Sequence, residues 1–270
     1  MSTLIFVYLY TCRFVYITNN IIVYMLNCID IFFYIIHYAD NTNNSTLQQI
    51  DMSTIQHKVK VYSVMSQKGG AGKTTLAINL AVQSKLQGNN SLIIDIDPQA
   101  SATMWADVRG VNNEPLVTSS FAARLNNVIN LACENNITEI FIDTPPHSQR
   151  DSQIAAEMSD SIIIPCRPNL FDLQAIDNTI GLAKMANKPF ILVFNAIHHT
   201  SSLADEAKEA ILNKYGNSIN ICSQMIVQRL CYVHASTNGQ GVQEYEATGK
   251  ASLEIQNVYN YICGQIDTLK

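Results

Sequence analysis

The chain has 270 residues, enough for one large α/β domain or two small ones, with 17 basic against 22 acidic side chains and a formal net charge of −5. Charged residues make up only 14%, against roughly 25% in an ordinary domain, and the first 51 residues hold just Arg13, Asp30, Asp40 and Asp51. The rest of the chain carries 16 basic and 19 acidic residues, so net charge excludes a nucleic-acid binder of the strongly basic kind, though not a local basic patch.

Residues 4–38 are rich in Ile, Tyr, Phe and Val. A secretory signal fits poorly, because no basic n-region and no small-residue cleavage site flank a short apolar core. A spanning helix needs about 20 apolar residues, and the better window, 21–38, contains Asn27 and Asp30; an aspartate near the bilayer centre costs a few kcal/mol. Met52-Ser-Thr opens the run that leads into the first strand of the remainder, and the polar stretch 41–49 separates it from the apolar segment. An upstream mis-assigned start, a membrane anchor and a loosely ordered tail therefore all stay open for residues 1–51.

From Lys58 onward, short apolar runs alternate with helical patterns. Strands are expected at 59–65, 91–96, 139–142, 161–164, 190–194 and, less clearly, 219–226. Helices are expected at 74–86, 122–135, 173–186, 203–215 and 251–266. Such alternation predicts a doubly wound α/β fold, a mostly parallel sheet with helices on both faces. The seven cysteines (Cys12, Cys28, Cys133, Cys166, Cys222, Cys231, Cys263) are odd in number and never spaced C-x-x-C, which reads as reduced thiols of a cytosolic protein.

The strongest motif is Lys68-Gly69-Gly70-Ala71-Gly72-Lys73-Thr74-Thr75, placed between an expected strand and an expected helix. Glycines let the backbone wrap close to phosphate oxygens and aim successive N–H groups inward as an anion nest. The helix that starts there adds its positive end. Lys73 brings a point charge to the β/γ-phosphates and the Thr74 hydroxyl can ligate Mg²⁺. The ordinary phosphate-binding pattern has Gly at position 67; this chain has Gln67, and an extra lysine follows at 68.

One crossover later, Asp95 and Asp97 stand at the carboxyl end of an apolar strand, where open α/β sheets bind ligands. Asp97, followed by Pro98, starts a loop expected to face the γ-phosphate. The run Ile140-Phe141-Ile142-Asp143-Thr144-Pro145-Pro146 delivers one carboxylate to the end of a third strand, the arrangement in which Asp143 holds Mg²⁺ through water. Asn195 ends the strand 190–194; its amide could read an adenine edge, or it is an ordinary turn residue.

These residues resemble the ParA/MinD family of deviant Walker ATPases, and the small ParF-like partition ATPases within it. The resemblance rests on the 68–75 loop, on Asp97-Pro-Gln99, on Asp143-Thr-Pro-Pro146, and on Trp105 and Arg109 spaced after the second of these. Near the C-terminus, Arg229-Leu-Cys-Tyr232, Gly241-Val-Gln-Glu244-Tyr245 and Gly249-Lys-Ala251 followed by Glu254-Ile255 are similar to the same subgroup. The match spans about residues 59–267, which implies a single P-loop ATPase domain over 52–270.

The resemblance implies ATP and Mg²⁺ as ligands, with Thr74, Asp97 and Asp143 around the metal. It implies that Lys68 reaches across a two-fold interface to the partner copy's phosphates, and that the homodimer forms only with triphosphate bound. Asp97 would orient the attacking water, making Lys68, Lys73 and Asp97 the catalytic set, with slow, partner-stimulated turnover. Non-specific DNA binding in the ATP state, a small centromere-binding partner of the ParB/ParG type and a nucleoid-associated, cytoplasmic location complete the expectation, which is DNA partitioning. Lys208, Lys214, Arg229 and Lys250 are the candidate phosphate contacts. Ala100 departs from the family, which often has Gly there.

Other members of the fold compete. A MinD-like membrane-cycling protein would end in a basic amphipathic helix, whereas residues 252–270 have few basic side chains and read as a packing helix. An amidoligase of the cobyrinate type would need a substrate domain that is not apparent.

Overall fold

The computed structural model describes residues 12–18, 21–28, 31–38, 47–49, 59–110, 113–198, 203–216 and 219–268. The chain divides into two compact units, residues 1–58 and 59–270. In the first, β1 (Cys12–Thr18), β2 (Ile21–Cys28), β3 (Ile31–Tyr38) and β4 (Leu47–Gln49) form an antiparallel sheet in sequence order. The window 21–38, a candidate spanning helix by its composition, is thus two paired strands, Ile21 opposite Tyr38 and Cys28 opposite Ile31. Its β-branched and aromatic residues favour a pleated surface over a helix. No helix among the described residues is long and apolar enough to cross a membrane.

The second unit is built on six parallel strands in the order β10-β9-β5-β8-β6-β7. They are β5 (Lys60–Val64), β6 (Ser91–Asp95), β7 (Leu116–Ser119), β8 (Glu139–Asp143), β9 (Ser161–Cys166) and β10 (Phe190–Phe194). The helices are α1 (Lys73–Leu86), α2 (Ser101–Arg109), α3 (Leu125–Glu134), α4 (Gln149–Met158), α5 (Leu170–Met185), α6 (Leu203–Tyr215), α7 (Leu230–Thr237), α8 (Val242–Tyr245) and α9 (Lys250–Thr268).

Strand alternation assigns the two faces. Tyr62, Val64, Ile93, Phe141 and Val193 pack with α1, α2, α7 and α9. The other face is formed by Val61, Ile94 and Ile142, towards α3 and α4, and by Met65, just past β5, Ile164 and Phe194, towards α5 and α6. Because the central strands are covered on both faces, they read as continuous apolar runs, as parallel sheets do. Helix α9 buries Ala251, Ile255, Val258 and Ile262 in the first face and packs on α1, as a packing helix would. In the second unit, Cys133, Cys222, Cys231 and Cys263 are free thiols.

The expected strand at 219–226 is corrected. Cys222 N–H donates to Leu192 O, but the next bond, to Phe194 O, comes from Ile226. Four residues on this segment face two on β10, so only isolated bridges form, at Ile221 and Val227. Helices α2, α4 and α7 and edge strand β7 escaped the periodicity. Helix α2 has no side-chain cap at Ala100, and β7 is too exposed to alternate.

Two glycines make a contrasting test of this packing. Gly239 has φ 64°, and a Cβ there would lie 2.5 Å from Arg109 N; a Cβ on Gly264, in α9, meets nothing within 4 Å. Gly239→Ala is expected to cost about 1–3 kcal/mol or more, lowering Tm by several degrees. Gly264→Ala should be neutral or stabilise by up to about 1 kcal/mol. Thermal unfolding of both variants checks the pair.

Candidate functional site

Residues 66–72 turn from the end of β5 into α1. Gly70 and Gly72 have φ of 74° and 91°, the left-handed region that glycine enters without strain. At Gly72 the surroundings add a second demand, since a Cβ would sit 2.1 Å from Asn195 Nδ2. That nitrogen donates to Ala71 O at 2.8 Å, while Asn195 Oδ1 accepts from Ala196 N–H at 2.9 Å. The amide considered for an adenine edge is therefore engaged in holding the loop. Gln67, the departure from the ordinary pattern, anchors the loop's start: its Nε2 donates to Ser152 Oγ at 3.4 Å and its N–H to Thr179 Oγ1 at 3.3 Å.

The two lysines of the loop differ in placement. Lys73 is buried, and its ammonium donates to Lys68 O at 3.4 Å. Burial pulls its pKa down, against the upward pull of Asp143 and Asp97. Lys68 is exposed, as are Gly69 and Gly70, and it makes no ion pair among the described residues.

Three carboxylates gather at the carboxyl edge of the sheet, where register aligns Val64, Asp95 and Asp143. Asp95 is fully buried and fully employed. Its Oδ1 accepts from Asp97 N–H at 3.1 Å, and its Oδ2 takes both the N–H and hydroxyl of Thr103 at 3.0 Å. It secures the first turn of α2 and the loop before it. Asp97 is half-buried, with Oδ1 accepting from Gln99 N–H. Ala100, next in that loop, has φ 52°, a conformation that explains why glycine suits the position.

Asp143 is the opposite of Asp95. Both its oxygens are sealed from solvent without a hydrogen-bond partner. Burial raises its pKa to about 7, helped by Asp95 and Asp97; the neighbouring Thr74 hydroxyl and Lys73 pull it down without closing a full hydrogen bond. An orphaned buried carboxylate beside a threonine hydroxyl and an ammonium is the donor set that a hard divalent cation and a phosphate together would satisfy. The residues present fit Mg²⁺, which Thr74 and Asp143 would hold.

Two clefts open beside the loop. One, of about 160 Å³, lies between Gly72, Thr75 and Asn195 on one side and Ile226, Arg229 and Tyr232 on the other. The second, of about 450 Å³, is lined by Thr74, Thr75, Met104, Trp105, Tyr232 and Gln240. Tyr232 stands in both walls, with its hydroxyl buried and unpartnered.

Among the basic candidates, Arg229 is paired with Glu254 at 2.7 Å and Lys214 with Asp177. Lys250 is exposed and Lys208 partly so, neither in an ion pair among the described residues. Sequence reasoning missed the anchoring work of Asp95 and Gln67 and the position of Tyr232. For Asp95 a signal existed, since an aspartate eight residues before a threonine in the following helix can cap it; for the other two the sequence marked the residue, Gln67 as a departure from the ordinary pattern and Tyr232 within the 229–232 motif, but not its contacts.

A P-loop at the edge of a six-stranded parallel sheet, with a metal-ready carboxylate on an adjacent strand, defines a P-loop nucleotide-binding protein. Residues 62–242 match the family described as the CobQ/CobB/MinD/ParA nucleotide binding domain, and the chain belongs to that family, with the fold of the ParA/MinD ATPases. It is similar to "Maintenance of carboxysome distribution protein A" of Halothiobacillus neapolitanus, 26% identical over 216 residues, covering 76% of this chain and 97% of that one. A shorter likeness, 46% over 55 residues, joins 20% of it to 22% of "Chromosome-partitioning ATPase Soj" of Thermus thermophilus. Among solved structures, the ATP complex of a Cyanothece McdA variant superposes with a TM-score of 0.64 at 15% identity, over 76% of this chain and 96% of that one.

The raised pKa of Asp143 gives a pH test. Its folded value, about 7, lies above the ordinary 3.8, so the folded chain holds a proton that the unfolded chain has released between those limits. This group's contribution is complete below about pH 4 and is lost as pH rises to about 7. Without metal, wild type is expected to lose a few kcal/mol from this source over that range, and Asp143→Asn to lose that slope and match or exceed wild type at pH 8. Denaturant titrations in EDTA at pH 5 and pH 8 read the difference; equal slopes would contradict the assignment.

Proposed function

We propose that residues 59–270 form a Mg·ATP-dependent switch ATPase that dimerises on triphosphate and partitions DNA, which it binds non-specifically in the ATP state. One observation carries this reading: the partnerless carboxylate of Asp143 faces the same loop end as buried Lys73 and Thr74. Water-sealed charge of that kind costs several kcal/mol unless a cation balances it, and bound Mg·ATP supplies that cation.

In this reading the backbone of residues 68–75 cradles the phosphates, Lys73 neutralises the β/γ-oxygens, and Thr74 and Asp143 hold Mg²⁺, which polarises the phosphoryl group when bound. Asp97, tethered through Asp95 but with its own carboxylate half-open, orients the attacking water. The cleft between Gly72 and Ile226–Arg229 is the place for the nucleobase, and Asn195 serves it by fixing Ala71 and Gly72 at the cleft's floor. Loss of the γ-phosphate removes the anion between crowded cations and opens the dimer.

The dimer is supported by what the monomer leaves uncovered. Lys68 projects without a carboxylate, and Met104, Val108, Leu230 and Val233 are each more than half exposed on α2 and α7 around the same mouth. Two loop lysines repel unless an anion lies between them, so triphosphate is the condition for closure. For DNA, the ion pairs of Lys214 and Arg229 shift the expected phosphate contacts to Lys208 and Lys250. A small DNA-binding protein is the expected stimulating partner, and the nucleoid the expected location.

A second cargo competes with DNA, because the carboxysome-distribution relative aligns over 97% of its length. Both readings share the ATP switch and differ in what is positioned. Lys68→Ala should keep ATP binding but lose the ATP-dependent dimer in light scattering; a dimer persisting in that variant rejects the cross-subunit role. Asp97→Ala should trap the dimer and lower turnover at least about 100-fold, and rapid hydrolysis by it removes the water-orienting assignment. DNA-cellulose that retains the Asp97→Ala dimer at physiological salt supports DNA cargo; its failure to do so favours the second reading.

A further inference from the structure

Among the described residues, the long-range hydrogen bonds of the motif Gly241–Tyr245 go to α1 and α2, and none goes to the 66–75 loop or to Asp95, Asp97 and Asp143. Towards α1, Val242 N–H donates to Asn79 Oδ1 at 2.8 Å, and Gln243 Nε2 donates to Asn79 O at 2.8 Å and to Gln83 Oε1 at 3.3 Å. The backbone lies so close to α1 that a Cβ on Gly241 would sit 2.8 Å from Val82 Cγ1.

The same segment grips α2. Glu244 takes the Arg109 guanidinium in a fork, Nη2 to Oε1 at 2.6 Å and Nη1 to Oε2 at 2.7 Å. Arg109 Nη1 also donates to Gly239 O at 2.8 Å, and Trp105 Nε1 to Gln240 O at 3.2 Å. The guanidinium lies 5.0 Å from the centre of the Trp105 ring, within cation–π range. Glu244 also reaches Lys85, in the last turn of α1, at 3.8 Å. The Arg109 side chain is only 7% exposed, so water competes little for this fork.

These bonds link the two helices that matter for the proposed chemistry. Helix α1 begins at Lys73 and so carries the loop lysine and Thr74. Helix α2 begins four residues after Asp97, and its first turn is fastened to Asp95 through Thr103. The separation of α1 from α2 therefore sets how far Asp97 stands from Lys73 and Thr74. Ala102 and Trp105 of α2 also share a buried cluster with Leu76, Ile78 and Val82 of α1, but such apolar packing is non-directional, whereas a bidentate guanidinium–carboxylate pair fixes angle as well as distance.

We propose that residues 239–244 are a strut and that Arg109 and Glu244 are positioning residues, which hold the Asp97 loop at its working distance from the phosphate-binding loop. The inference rests on the ATPase reading above and deepens it: hydrolysis, not nucleotide binding, depends on the strut. The hydrogen bonds and ion pairs of Arg109 and Glu244 named above all go to residues outside the 66–75 loop. A displacement of about 1 Å in a positioned group can cost roughly 100-fold in rate.

Glu244→Gln keeps the shape and removes the charge that completes the fork. Single-turnover hydrolysis of Mg·ATP should fall about 10- to 100-fold, while the Kd for a fluorescent ATP analogue changes less than about twofold. Hydrogen exchange should rise across residues 97–109 and stay unchanged across 66–75. Arg109→Lys carries the same test if the first variant folds poorly, because lysine keeps the charge and loses the fork. Wild-type turnover retained in both variants overturns the strut, as does a parallel loss of affinity and rate, which marks a merely structural role. A wild-type chain that binds Mg·ATP and never hydrolyses it, even with DNA, overturns the ATPase reading instead.

Discussion

The candidate site of the second unit turns on one partnerless group, the Asp143 carboxyl at the carboxyl edge of a dry parallel sheet. Strands β5, β6 and β8 are covered by helices on both faces, so a ligand can reach their polar groups from the strand ends. Asp95 and Asp143 occupy equivalent register positions on neighbouring strands, yet one accepts three hydrogen bonds and the other none. A buried carboxylate without partners is unstable by itself. Its persistence beside Lys73 and Thr74 makes sense as half of an interaction whose other half is a cation carried in with phosphate.

The surrounding architecture then divides into what makes the loop and what places the loop's neighbours. Gly70 and Gly72 permit the curl, and Asn195 and Gln67 tie it to β10, α4 and α5. On the other side, Asp95 fastens α2, and the 239–244 segment fastens α2 to α1. The exposed apolar side chains of α2 and α7 cluster around the same mouth. In the proposed function, binding, catalysis and association thus share one end of the sheet, the carboxyl edge at which doubly wound folds bind ligands.

Much of this was legible in the sequence, for identifiable reasons. The 68–75 loop and the run ending at Asp143 are local patterns whose chemistry needs consecutive residues. The continuous apolar strands could be read because both their faces are buried. What was not legible depends on distant pairing: the interruption at 223–225 arises because four residues of that segment span two of β10, and the start of α2 relies on Asp95 rather than on its own cap. Asn195 shows the limit most clearly. Its place at a strand end was visible, but its bond to Ala71, 124 positions away, was not. The resemblance marked Trp105, Arg109 and Glu244 as notable without saying what they do; their contacts supply that.

Uptake of ATP measured calorimetrically with Mg²⁺ and again with EDTA, on wild type and on Asp143→Asn, reaches the central claim most directly. Wild type should bind tightly with Mg²⁺ and at least about tenfold more weakly in EDTA, and the variant should be indifferent to the metal. Binding by wild type that ignores Mg²⁺, or no binding at all, would contradict the account.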